Sequence, residues 1–340
     1  MRIAWLRPAS LPDHADPLDD TAPLVAELAR HHDIECINAA AAHDLVWRHA
    51  RQPFDLFVHE MAAGAGHAFV APYAVHFPGV LLLKDFAPHT SRAIRASRTV
   101  VVGDEAVAGS LRETYPGAHI VAAPPAVGSD PGSDPSVKAT QPIESGRGKA
   151  ARFGLLTGRA DIVERAAARA RTSYAAIDIV VGTAAEILDQ ADVVIALAWP
   201  PPAGPPAAAL AGLAAGKPVI VFETLATAGW PALDPHTWQP RGFARDAPAP
   251  IVVSIDPRDE EHSLMQAMER LATAPELRAA LGAAGRTWSD AHAQPAHAVE
   301  AWRRILDAPG LPPSPPFPGV DGSEHLRATL ADFGVTVDVP

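Results

Sequence analysis

The stretch that most constrains the fold is residues 191–223, ADVVIALAWPPPAGPPAAALAGLAAGKPVIVFE. Residues 192–197 are Asp192 followed by a continuous apolar run rich in valine and isoleucine, the pattern of a strand buried on both faces. A Pro/Gly loop at 199–206 then breaks the chain, because prolines remove backbone donors and push the preceding residue out of helical space. Residues 207–215 are Ala, Leu and Gly throughout, a short helix slim enough to pack tightly on a sheet, with Gly216 as its C-terminal cap. Lys217 and Pro218 lead into a second apolar strand at 219–222. Strand, helix and strand in this order make a right-handed parallel crossover. Ligands of such open sheets bind beyond the carboxyl ends of the strands. The 199–206 loop and the segment Glu223, Thr224 both lie at such ends and mark the first place to look for a small-molecule site.

The same alternation runs through the chain. Strand-length apolar runs fall at 2–6, 34–37, 56–59, 80–83, 99–102 and 119–122. Helical candidates lie between them: one through Leu24, Val25, Leu28 and Ala29 capped by Asp20 or Thr21, then 67–75, 90–96, and 105–115 capped by Asp104. Residues 128–149, GSDPGSDPSVKATQPIESGRGK, are polar and rich in Pro, Gly and Ser, as a flexible linker is. Beyond it the alternation restarts with strands at 153–156, 177–181 and 251–254 and helices at 162–171 and 184–190. A helix opening at Asp256 and Pro257 follows, then helices at 276–291 and 296–306. Residues 309–318 are proline-rich and expected to be extended, and a last short helix is expected at 323–333. The expected fold class is α/β, with two Rossmann-like doubly wound parallel sheets facing across a cleft and helices at the C-terminal end. The domains are 1–127, a linker at 128–150, 151–308, and a tail at 309–340.

Composition narrows the function classes. A formal net charge of −11 argues against a nucleic-acid partner held by phosphate neutralisation. The lysines are Lys84, Lys138, Lys149 and Lys217. Cys36 is the one cysteine, so neither an internal disulfide nor a cysteine metal cluster can form. It falls in an expected strand, where a buried thiol is anticipated. No apolar run approaches the length of a membrane span, and the N-terminal apolar run is too short for a signal peptide. The protein is therefore expected to be cytoplasmic, with peripheral membrane contact left open. His59, Glu60 and His67 do not match a standard zinc spacing.

Several segments, in sequence order, resemble nucleotide-sugar-dependent glycosyltransferases of the GT-B fold, in particular the family 4-like retaining group. They are FDLFVHEMAAGAGHAFVAPYAVHFPGVLLLKD, SRTVVVGDEAVAGSLRETYPGAHIVAAPPAV, ADVVIAL, LAAGKPVIV, GWPALDP and IDPRDEEHSLMQAMERLATAPELRAALGAAGR. The resemblance covers about two-thirds of the chain and implies transfer of a sugar from a nucleotide-diphosphate donor to an unknown acceptor with retention. It calls for no cofactor beyond the donor substrate. The departures are specific. The family's acidic pair, which holds the donor sugar and the ribose, falls on Ala203 and Ala211. Its diphosphate-binding arginine matches Arg159 after Gly158, but the partner lysine is missing, and Arg165 is the nearest cation. Its histidine before Asp85 is Lys84, and its glycine-rich first loop is replaced by residues 12–20, which contain no glycine.

The resemblance thus places His67 and Asp85 on the acceptor side as catalytic candidates. Gly158, Arg159, Arg165, Gly204, Glu223 and Thr224 become donor-binding candidates. Arg159 is the preferred phosphate ligand, since one guanidinium can clamp a phosphate bidentately. His67 is read as opening a helix whose backbone donors face an anion; the plain alternative is a packing histidine. Lys84 and Asp85 serve either the site or a local ion pair. Trp230, Trp238 and His236 either form a sugar platform or cover the core. The alternative to an enzyme is a catalytically degenerate relative acting as a protein partner or scaffold.

Overall fold

The structure is a computed structural model and describes residues 1–8, 18, 21–63, 65–86, 90–125, 150–173, 176–241 and 248–308. The linker through 149 and the tail from 309, with its expected helix at 323–333, lie outside the described residues, as does Asp20. The first half contains β1 (Arg2–Leu6), α1 (Thr21–Leu28), β2 (Asp33–Ile37), α2 (Leu45–Arg51), β3 (Leu56–Met61) and α3 (Val70–His76). It continues through β4 (Val80–Leu83), α4 (Thr90–Ala96), β5 (Thr99–Val102), α5 (Glu105–Thr114) and β6 (Ile120–Ala122). All six strands pair in parallel in the order β2-β1-β3-β4-β5-β6.

The second half opens with β7 (Ala151–Thr157), α6 (Ala160–Thr172), β8 (Ile177–Val180), α7 (Ala184–Gln190) and β9 (Val193–Ala196). Then come α8 (Ala207–Ala214), β10 (Val219–Phe222), β11 (Ala232–Leu233), β12 (Val252–Ile255), α9 (Glu260–Thr273), α10 (Pro275–His292) and α11 (Pro295–Asp307). Its sheet is also parallel, in the order β11-β12-β10-β9-β7-β8. The expected architecture of two doubly wound sheets with C-terminal helices is the observed one. In both sheets the strand order reverses beside the first strand of its half, between β1 and β3 and between β7 and β9, which defines the crevice where ligands of open sheets bind.

The strands form where they do because every residue of β3, β5, β9, β10 and β12 is buried, and β-branched residues fill such two-sided positions well. Helix starts follow their caps: the Asp104 side chain accepts from the amides of Ala106 and Val107, and Thr183 with Glu186 forms a reciprocal capping box.

Four local expectations need correction. Cys36 is exposed, because β2 is the edge strand and its outer face is open to solvent. His67 does not open a helix; it ends a 3₁₀ turn at Ala65–His67, and α3 begins only at Val70. Helix α2 was not anticipated, since it exposes Val46 and Trp47 and buries little beyond Leu45. Within the 226–250 loop the two-residue strand β11 adds to the sheet edge through β12.

Helix α11 follows the second domain in sequence yet packs on the first. Ala298, Val299, Trp302 and Leu306 join Ile3, Trp5, Leu24 and Leu28 in one apolar cluster. The Trp5 and Trp302 rings lie 5.1 Å apart at 36°. Trp230 and Trp238 cover the second core, Trp230 against Trp288 at 5.1 Å.

Candidate active site between the two sheets

A cavity of about 330 Å³ lies where the carboxyl ends of the two sheets face each other. From the first domain come Ala62 after β3, Lys84 and Asp85 after β4, and His67; from the second come Thr157, Ala198 and the start of α8. Trp302 of the returning helix closes one side.

Each polar group is placed by a traceable local feature. The pairing of β7 with β9 slips between Leu155 and Thr157, where Leu155 faces Ile195 and Thr157 faces Ala196. Such an irregularity re-aims the side chain that follows it. The Thr157 hydroxyl is buried and has no protein hydrogen-bond partner. Helix α8 begins after Pro206 with no side-chain cap, so its first N–H groups have no intrahelical acceptor. Pro206, Ala207 and Ala208 line the cavity, and those donors favour an anion there.

Glu60, 3% exposed at the end of β3, organises the opposite wall. Its Oε1 lies 3.3 Å from Lys84 Nζ and its Oε2 lies 3.5 Å from Arg7 Nε. A carboxylate this deeply buried needs such cations, and through it Lys84 is held at the cavity wall. The Glu60 carbonyl sits 3.0 Å from His67 Nδ1. With Nδ1 donating there, neutral His67 carries its lone pair on Nε2. Asp85 Oδ2 accepts from the Ala63 amide at 3.5 Å. Beneath the site His59 is fully buried, with Nε2 2.9 Å from the Phe77 carbonyl. Burial pushes its pKa down to about 4. Among the described residues no group of three or more His, Cys, Asp or Glu could hold a metal ion.

The 199–206 loop does not simply border the cleft; it crosses it. The Ala203 amide donates to the Lys84 carbonyl at 2.7 Å, and the Gly103 amide donates to the Ala203 carbonyl at 3.2 Å. Ala203 is fully buried in the first domain's apolar cluster with Met61, Leu83 and Val102. Gly204 and Gly103 touch backbone to backbone, so closely that a Cβ on Gly204 would stand 2.7 Å from Gly103 Cα. An acidic side chain at 203 would enter this apolar cluster rather than the cavity.

By crossing, the loop divides the cleft. His67, Asp85 and Gly204 meet in the first cavity. Glu223 and Thr224 lie in a second cavity of about 360 Å³ on the other side, lined also by Phe86, Trp199 and residues of α5. Pro202 belongs to both walls. Gly158, Arg159 and Arg165 line neither cavity. Gly158 turns the chain out of β7 at φ 140°, a conformation suited to glycine. The Arg159 side chain is 62% exposed and pairs with Asp161 at 3.1 Å. Arg165 bridges Asp161 and Glu261 at 3.0 and 2.8 Å, tying α6 to α9. Sequence reasoning missed Thr157, whose aim depends on the slipped register. It weighed Lys84, with Asp85, as serving the site or a local ion pair, and named the 199–206 loop but not the start of α8 itself. The uncapped Pro206 followed by alanines was the available signal for the anion-favouring end.

Two Rossmann-like domains with a cleft at their facing strand ends, and a last described helix returning to the first domain, define the GT-B architecture. Neither models of protein families nor curated protein sequences match the chain. Solved structures do. HepE of Anabaena, in complex with UDP and glucose, is similar over 90% of this chain and 99% of its own, with TM-score 0.61 and 11% identity. WaaG, a glycosyltransferase involved in lipopolysaccharide biosynthesis, is similar over 90% and 100%, with TM-score 0.60 and 13% identity. Sucrose-phosphate synthase of Thermosynechococcus elongatus is similar over 90% and 99%, with TM-score 0.57 and 13% identity. At such identities the likeness is one of fold. Among the described residues no helix is long and apolar enough to cross a membrane.

Proposed function

We propose that the protein transfers a sugar from a nucleoside-diphosphate donor to an acceptor hydroxyl, with retention. The observation that carries this reading is the cavity between the facing strand ends, with uncapped α8 donors on one wall and Lys84 on the other. In it the diphosphate meets the first amides of α8, the Thr157 hydroxyl and the Lys84 ammonium. Charge on the leaving diphosphate grows as the sugar departs, so donors fixed there stabilise the transition state more than the ground state. The acceptor oxygen bonds to the anomeric carbon while the bond to the diphosphate oxygen breaks. The acceptor's proton leaves in the same exchange and passes to Asp85 or to His67 Nε2. The reading calls for no cofactor. Retention rests on the ordered motif series and is read from the anomeric NMR coupling of the product.

The supporting likeness is that HepE, in the same fold, was crystallised with UDP, with UDP and glucose, and with UDP-glucose. The test is thermal unfolding of the full chain in UDP, GDP and their glucose conjugates. A ligand at about 100 times its dissociation constant adds about 2.7 kcal/mol, a readily measured rise in Tm. No rise with any common nucleoside diphosphate at millimolar concentration, in a folded sample, contradicts the proposal.

A further inference from the structure

The second cavity carries an inference of its own. Among the described residues the exposed large apolar side chains are Met1, Val46, Trp47, Phe86, Val181, Trp199 and Leu225. Phe86, Trp199 and Leu225, which are 44%, 62% and 50% exposed, belong to this one cavity although they come from three separate segments. Apolar groups converging on a hollow from separate segments mark a binding site rather than scattered surface residues.

The chemistry of the lining selects the occupant. Val107 and Leu111 of α5 form an apolar floor. The Trp199 ring, braced edge-on by Phe222 at 6.0 Å, stands as a flat wall. Ser110, Thr224 and the Glu223 carboxylate supply the polar groups, and no cation lines the cavity among the described residues. Arg241 anchors Glu223 from outside the lining. That ion pair compensates the Glu223 charge, and the carboxylate keeps acceptor capacity for a ligand hydroxyl. A flat apolar ring suits the aromatic wall.

We propose that this cavity binds a compound with a flat aromatic body and a hydroxyl, the body on Trp199 and the hydroxyl on Glu223. Its binding does not depend on the transfer reading, so the two fail separately.

The probe is umbelliferone, a fluorescent phenol, titrated into the full chain at mildly acidic pH, where the phenol is neutral. Saturable binding is expected, weakened roughly tenfold by Trp199→Ala through loss of the aromatic face. Ser110→Trp, an exposed helix position turned into a plug, weakens it further, while the circular dichroism of both variants stays that of the parent. No saturable binding up to millimolar concentration overturns the proposal, as does binding indifferent to both variants. A parent dimer in sedimentation that Trp199→Ala dissociates also overturns it, by showing the patch to be covered by a second copy of the chain.

Discussion

Replacing Gly204 by alanine tests how the cleft is divided. The added Cβ would stand 2.7 Å from Gly103 Cα and 3.0 Å from Gly103 N, and backbone atoms cannot rotate away. Gly204 is not among the residues of positive φ, so the substitution acts by crowding rather than by torsional strain. The loop has to retreat, which breaks the Ala203 to Lys84 and Gly103 to Ala203 hydrogen bonds of 2.7 and 3.2 Å. Two such bonds contribute about 1–3 kcal/mol net. Returning the buried Ala203 methyl to water adds about 0.8 kcal/mol, giving about 2–4 kcal/mol for loop docking. Two domains need not unfold as one unit, so a global midpoint is a poor reading of this term. Amide hydrogen exchange reads it locally: the Gly103 and Ala203 amides should exchange at least about 30-fold faster in the variant, with the amides of β4 and β10 unchanged. Unaltered exchange at both amides would refute the account of the loop as a bridge between the domains.

Other expectations follow from single residues. His59 titrates near 4 in the folded protein against about 6.5 when unfolded. The unfolded chain therefore binds the proton first, and stability that is complete above pH 6.5 is lost as pH falls toward 4, by about 3 kcal/mol. Denaturant titrations across that range should show this slope in the parent and not in His59→Gln; equal slopes contradict it. Trp302→Ala removes a ring 2% exposed against Trp5, and should destabilise the first domain by about 3–5 kcal/mol in urea unfolding; a loss under about 1 kcal/mol would show that α11 is not part of that core. Lys84→Ala should weaken UDP binding by roughly tenfold in calorimetry, whereas Arg165→Ala, which removes exposed ion pairs with Asp161 and Glu261 and leaves the Arg169–Glu261 bridge in place, should leave it unchanged. The reverse ranking would return the phosphate to the α6 side.

The alternation of strands and helices was legible because strands buried on both faces leave continuous apolar runs, and β9, β10 and β12 fell within a residue or two of expectation. The exposure of Cys36 was not, because nothing within DIECI says that its strand sits at the edge of the sheet. Helix α2 was hidden by its composition, LVWRHAR, whose apolar Val46 and Trp47 face solvent. In the site, His67 and Asp85 were placed together by motif order and do meet. Arg159 could be located after its strand, but its pairing with Asp161 depends on a rotamer that local sequence does not encode. The destination of the 199–206 loop is a tertiary fact. Its prolines announce a break in the chain, and only the contact of Gly204 with Gly103 shows that the break spans the cleft.

The most direct test of the central claim is a crystal structure of the chain with UDP bound. The account predicts the diphosphate within hydrogen-bond reach of the amides of Ala207 and Ala208, with the Lys84 ammonium turned toward it. A nucleotide held instead at Arg159 and Arg165, or none at saturating concentration, would contradict it.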